Sequence, residues 1–176
     1  MRKLKITELN RLTPEAYKES DKIPLIVVLD HIRSLNNVGS VFRTSDAFKV
    51  EAIYLCGITA RPPHPEIHKT ALGAEDTVKW YYYNDTLEVI NELKEAGYMI
   101  CAVEQAEGSI QLDEFTADKV KKYVIIFGNE VKGVQQEVVD KSDICIEIPQ
   151  YGTKHSLNVS VSAGIVIWEL FKQLSD

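Results

Sequence analysis

The chain has 176 residues, of which 45% are apolar, and carries a net charge of −6 from 26 acidic and 20 basic side chains. That length suits one compact domain with a core large enough to need no metal or disulfide, so residues 1–176 are read as a single domain. The acidic balance excludes a uniformly basic nucleic-acid binder, and no apolar run reaches the length that crosses a membrane.

The first 24 residues form a basic extension. Arg2, Lys3, Lys5 and Arg11 stand there against the single acid Glu8 within the first eleven positions. No apolar segment follows this basic start, so no secretory signal is expected and the chain is read as cytoplasmic. Leu25–Asp30 is a continuous apolar run ending in an acid, the pattern of a strand buried on both faces. A helix is predicted from about Val38 to Phe48, with Asn37 placed to cap it. Ala52–Cys56 follows as a strand, Pro65–Leu72 as a short helix and Thr77–Tyr82 as a strand. Between them, Arg61, His64, His68 and Lys69 make a second basic segment against Glu66.

Asp85–Ala96 carries Leu87, Ile90 and Leu93 at helical spacing, with Asp85 as its cap and Gly97 as its stop. Tyr98–Val103 and Tyr123–Phe127 read as further buried strands, Val134–Asp140 as a short helix and Asp143–Ile148 as a strand. A helix from about Leu157 to Gln173 closes the chain, capped by Ser156 or Asn158. Its residues Val159, Val161, Ile165, Val166, Ile167, Trp168, Leu170 and Phe171 cover more than one face. Such a helix must be buried on most sides, and a homodimer through it is expected. The alternation of strands and helices implies an α/β fold, a mostly parallel sheet with helices on both faces. Ligands on such a sheet bind at the carboxyl ends of the strands. The three cysteines, Cys56, Cys101 and Cys145, sit inside apolar runs without Cys-x-x-Cys spacing, so they read as buried thiols and no metal is expected.

Three stretches carry chemistry. In Asn36–Thr44, Gly39 and Arg43 are four apart on one helix face, which leaves space beneath Arg43 for a phosphate or sugar; the same residues also make an ordinary capped helix with a surface arginine. In Phe127–Val134, a buried strand runs into Gly128, whose backbone lets a ligand approach closely, and Glu130 projects from the functional edge; an ordinary strand-to-helix turn would read the same way. In Ile148–Ser162, a strand stops at Pro149, a long loop follows, and Ser156, Asn158, Ser160 and Ser162 lead into an apolar helix where they need partners.

Taken together and in order, these stretches resemble the SpoU (TrmH-like) family within the SPOUT class of RNA methyltransferases. The family pattern runs Asn-x-Gly-x-x-x-Arg, then Phe-Gly-x-Glu-x-x-Gly, then Ile-Pro-x-x-Gly-x-x-x-Ser-Leu-Asn-Val, and all three are present from about Leu25 to the end. The resemblance implies a C-terminal deep trefoil knot formed by residues 123–176, a fold feature too rare to be read from periodicity. It implies S-adenosylmethionine as cofactor, held at Gly128, Ile148 and Leu157 with Val103 and Glu104 alongside. The absence of any Gly-x-Gly-x-x-Gly agrees with this and argues against a nucleotide-binding oxidoreductase.

The implied reaction is 2′-O-methylation of an RNA ribose. Arg43 is the implied catalytic residue. Because guanidinium stays protonated, its expected role is to clamp the adjacent phosphate and stabilise the developing alkoxide, not to act as a base. Asn37 is expected to orient Arg43 or the ribose, and Glu130, Ser156 and Asn158 to fix Arg43 and the catalytic loop. Gln150 after Pro149, with Val103-Glu104-Gln105 and Ile167-Trp168-Glu169, is similar to members that methylate the D-loop guanosine of tRNA. A ribosomal RNA loop, the tRNA wobble nucleotide and a non-catalytic RNA-binding dimer are the rival readings. With only about two dozen residues before the first strand, this reads as a minimal member whose RNA contacts come from Arg2, Lys3, Lys5, Arg11, Arg61 and Lys69.

Overall fold

The computed structural model describes residues 1–175. Its centre is a seven-stranded sheet in which every pairing is parallel. The strands are β1 (Ile23–Asp30), β2 (Val50–Cys56), β3 (Trp80–Tyr83), β4 (Tyr98–Val103), β5 (Ile110–Gln111), β6 (Lys122–Phe127) and β7 (Ile144–Glu147). Across the sheet they run β3-β2-β1-β6-β4-β7-β5. The helices are α1 (Pro14–Glu19), α2 (Leu35–Ala47), α3 (Pro65–Ala71), α4 (Ala74–Thr77), α5 (Thr86–Glu95), α6 (Gln136–Lys141) and α7 (Val159–Leu174).

The continuous apolar run of β1 has its physical reason in this arrangement. Leu25, Val27 and Leu29 point into one core with Val38, Phe42, Ile67, Val166 and Leu170, so α2, α3 and α7 cover that face. Ile26 and Val28 point into the other core with Val89, Ile90, Leu93 and Val138, so α5 and α6 cover the opposite face. Both sides of the strand are removed from water, which is why alternation is missing from its sequence. The expected mostly parallel α/β sheet with helices on both faces is what the chain forms.

Several boundaries differ from the sequence reading. Helix α2 begins at Leu35, and its cap is Ser34, whose hydroxyl accepts from the Asn37 amide; Asn37 itself lies inside the helix. The strand expected from Thr77 begins at Trp80, because Thr77 closes the short helix α4 and its hydroxyl bonds to the Ala74 carbonyl and to Asp46. Asn158, not Ser156, caps α7 by accepting from the Ser160 amide. Helix α6 starts two residues later than expected, at Gln136, and the Val134 and Gln135 amides before it donate to Glu104 and Asp30. The 3-10 turn Ile6–Glu8, helix α1 and the two-residue strand β5 were not anticipated.

Gly39 serves packing rather than a ligand. A Cβ there would lie 2.1 Å from Thr70 Oγ1 and 2.3 Å from the Ile67 carbonyl oxygen, so α3 already fills the space assigned to a phosphate or sugar. Gly39→Ala ordinarily adds about 1 kcal/mol to a helix. Here it should instead destabilise by about 2–3 kcal/mol, since the obstacle includes backbone. Urea unfolding checks this, and a variant as stable as the parent would show that α3 yields freely.

Candidate active site

The carboxyl ends of β6, β4 and β7 release three loops, and these enclose a cavity of about 1050 Å³. Its lining includes Val103 and Glu104 after β4, Gly128 and Glu130 after β6, and Ile148, Ser156, Leu157 and Asn158 between β7 and α7. All five residues expected at a cofactor therefore lie along one cavity, as do three of the five expected to be catalytic. Of the other two, Asn37 reaches the cavity edge through Glu130, and Arg43 stands outside the lining.

Gly128 answers the sequence expectation only in part. A Cβ at this position would come within 2.3 Å of the Gly133 and Val134 backbone. The close approach that glycine permits is made by the chain's own returning loop. Glu104 holds that loop: its carboxylate accepts from the Val134 amide at 2.9 Å and from the Gln105 amide at 2.9 Å. One carboxylate thus joins the end of β4 to the turn after β6 and fixes the cavity's shape.

The polar centre of the site joins the three sequence stretches. Glu130 accepts from the Arg33 amide at 2.9 Å, from the Ser34 amide at 3.0 Å and from Asn37 Nδ2 at 3.0 Å. The Asn37 Oδ1 in turn accepts from Asn158 Nδ2 at 3.2 Å. Glu130 is therefore an anion set at the start of α2, where amides without helical partners and the helix dipole favour negative charge. Partial burial works against its ionised form, but the Arg33 and Ser34 amides and Asn37 outweigh it and hold the carboxyl below its usual range.

This geometry corrects the expected Glu130–Arg43 pair. Arg43 is exposed, and among the described residues it enters none of the ion pairs. Six residues along a helix place Arg43 about 9 Å beyond Asn37 and about 120° around the axis. Glu130 therefore fixes the start of α2 and does not hold the guanidinium. Ser156 is exposed on the cavity wall, and Asn158 joins the cap of α7 to α2.

A second cluster, missed in sequence, braces the same edge. The fully buried Asp30 accepts from His31 Nδ1 at 2.9 Å, from Gln135 Nε2 at 2.9 Å and from the Thr86 hydroxyl. It ties β1 to α5 and to the loop before α6. The acid at the end of the β1 run was its only sequence signal.

The expected RNA contacts lie apart from the cavity. Arg2 pairs with Glu8 at 2.6 Å, which offsets part of the basic extension, while Lys3, Lys5 and Arg11 are exposed. The Arg61 guanidinium lies 4.4 Å over the Tyr82 ring, and Lys69 stands 3.8 Å from Glu66.

Comparison with known proteins agrees with this architecture. Residues 24–168 match the model of the SpoU rRNA Methylase family. The 23S rRNA (guanosine-2'-O-)-methyltransferase RlmB of Nitrosomonas europaea is 35% identical over 151 residues, covering 86% of this chain and 57% of its own length. An AdoMet-bound rRNA methyltransferase from Sinorhizobium meliloti superposes with a TM-score of 0.80 at 28% identity, covering 93% of this chain and 60% of that one. The TrmH/SpoU tRNA modifying enzyme of A. aeolicus superposes with a TM-score of 0.79 at 30% identity, covering 89% of this chain and 78% of that one. The chain thus spans less than two thirds of the length of the RlmB relative and of the S. meliloti enzyme.

Proposed function

The chain belongs to the SpoU rRNA methylase family, and from that premise we propose that it methylates a ribose 2′-oxygen of RNA with S-adenosylmethionine. The observation that carries this reading is the meeting of the three stretches. Asn37, Glu130 and Asn158 come from regions far apart in sequence and form one hydrogen-bonded chain at the rim of one cavity. Residues 1–176 are read as one methyltransferase domain, with the implied knot in residues 123–176.

The cavity suits the cofactor in size and chemistry. It lies just above the usual range of volumes that hold small ligands and has room for the cofactor. Leu157 and Val131 are exposed on its wall, unpaired apolar surface that an adenine ring would cover. Glu104, Glu107 and Asp140 supply acceptors for ribose hydroxyls and a sulfonium charge. Val103, Gly128, Ile148 and Leu157 would hold the cofactor, and when bound it supplies an activated methyl group.

This chain's residues then have two tasks, to position the ribose and to stabilise charge on its oxygen. Arg43, which enters none of the ion pairs among the described residues, presents a planar fork for the neighbouring phosphate and the incipient alkoxide. Glu130, Asn37 and Asn158 hold α2, which carries Arg43, against α7 and the cavity rim.

The RNA is read as tRNA, with the D-loop guanosine favoured on the sequence details above; the RlmB relative supports ribosomal RNA as the second reading. Among the described residues no helix is long and apolar enough to cross a membrane, and we place the protein in the cytoplasm. A homodimer through α7 is supported by Val161, Ile165 and Trp168, which are exposed on the helix face turned away from the sheet core. Labelled S-adenosylmethionine should transfer its methyl group to purified tRNA as a 2′-O-methyl nucleotide. The same protein should sediment as two copies. Label found only in ribosomal RNA would overturn the tRNA reading, no label in either RNA would overturn the enzyme reading, and a monomer that still methylates would remove the dimer.

A further inference from the structure

A second cavity, of about 700 Å³, lies apart from the first and belongs to none of the three stretches. It is lined by Pro62, Pro63, His64, Pro65, His68, Glu75, Asp76 and Trp80. Three prolines and an indole give it flat, rigid, apolar walls. Its carboxylates are acceptors, while His64, whose Nδ1 accepts from the Glu66 amide at 3.2 Å, and the Trp80 indole N–H add donors beside them. The buried Glu75 carboxylate takes a hydrogen bond from His68 Nδ1 at 2.6 Å and another from the Gly73 amide at 3.1 Å. A carboxylate only accepts, so Nδ1 carries the proton and, in the neutral ring, Nε2 is left as an acceptor. Asp76 adds an exposed carboxylate, and among the described residues it is in none of the ion pairs.

We propose that this cavity takes an unpaired guanine base of the RNA substrate, stacked on Trp80 with its imino and amino edge against Asp76 and the His68–Glu75 pair. Planar walls suit any base, since every base has a π-face. The acceptor edge discriminates among them. Guanine offers an imino and an amino donor side by side, adenine and cytosine offer one amino group, and uracil sets its single N–H between two carbonyls. Arg61, beside Pro62, and Lys69, on α3, supply positive charge for the flanking phosphates.

The cavity is joined to the active site through α3. The outer side of that helix presents His68, while its inner side packs on Gly39, and the Thr70 hydroxyl donates to the Asn36 carbonyl at 3.0 Å, next to Asn37. A guanine seated here would set the register of the strand whose ribose meets Arg43. The inference rests on the RNA reading above and adds the base that is read.

The chain has two tryptophans, so Trp168→Phe leaves Trp80 as the single indole reporter. Guanosine, used without phosphate to avoid repulsion from Asp76, should quench its emission saturably, and uridine and cytidine should not. Asp76→Asn should weaken guanosine about tenfold, the cost of replacing a charge-assisted acceptor. In the methyltransfer assay the same variant should raise KM for RNA with kcat unchanged. No saturable quench, or an equal quench by all four nucleosides, would overturn the assignment. The fluorescence arm needs neither cofactor nor methyl transfer, so failure of the enzyme reading and failure of this one are told apart.

Discussion

Arg43→Ala should lower the rate of methyl transfer by about a thousandfold while leaving S-adenosylmethionine affinity where it was. The magnitude is that of removing a group aimed at charge that develops only in the transition state, about 10²–10³ for a single donor and more where a full charge is lost. The unchanged cofactor affinity follows from place: Arg43 is not among the residues that line the 1050 Å³ cavity. Its guanidinium is exposed and free of carboxylate partners among the described residues, so its donors remain available to RNA.

Arg43→Lys separates charge from shape. Lysine keeps the cation but lacks the rigid fork that engages two oxygens at once. The lysine variant should therefore recover less than about a tenth of the parent rate. Single-turnover rates with saturating RNA measure both variants, and cofactor titration runs in parallel. A lysine variant at full rate would reject the bidentate clamp, and an alanine variant at full rate would remove Arg43 from the chemistry.

The sheet was legible because burial on two faces leaves a strong local mark. The unbroken apolar runs at Leu25–Leu29 and Tyr123–Phe127 could be little else, and they are the adjacent central strands β1 and β6. Asp85–Ala96 was legible for a similar reason, since its cap, its spacing and its glycine stop all lie within one segment. Thr77 was misread because aromatic residues at 80–83 raised the strand signal, while the bond from Thr77 to Asp46 that closes α4 comes from another helix. Gly39 and Gly128 were rightly marked as close approaches, but a sequence does not say who approaches. In both cases it is the chain itself.

The site followed the same division. Its members could be named because the three motifs are each local. Their connections could not, because Glu130 bonds to Arg33, Ser34 and Asn37 across more than ninety residues of chain. The expectation that Glu130 fixes Arg43 came from the resemblance, and α2 carries Asn37, which Glu130 meets, and Arg43 on different faces. Asp30 shows the converse, a residue with an unremarkable position in sequence that gathers partners from two distant segments, besides its neighbour His31, once the sheet has formed.

Glu130→Gln should cost both activity and stability, and its stability cost should depend on pH. The carboxylate serves three donors with two oxygens. An amide keeps one oxygen and turns its NH₂ towards a backbone N–H, so at least one donor at the start of α2 loses its partner. Because the residue is largely exposed, the expected loss is discounted to about 1 kcal/mol, a fall in Tm of about 2–4 °C for a chain of this size. Activity should fall further, by about tenfold or more, because misplacing α2 moves Arg43 relative to the cavity. The native carboxyl is held below its usual range, so its contribution is fully present above the unfolded value of about 4.3 and is lost as pH falls through the lower folded value. The Tm difference between parent and variant should thus be constant from neutrality down to about pH 5 and shrink on the acid side of about pH 4. Thermal unfolding across that range measures it, and a difference that grew in acid would mean that Glu130 does not act as the anion at the start of α2.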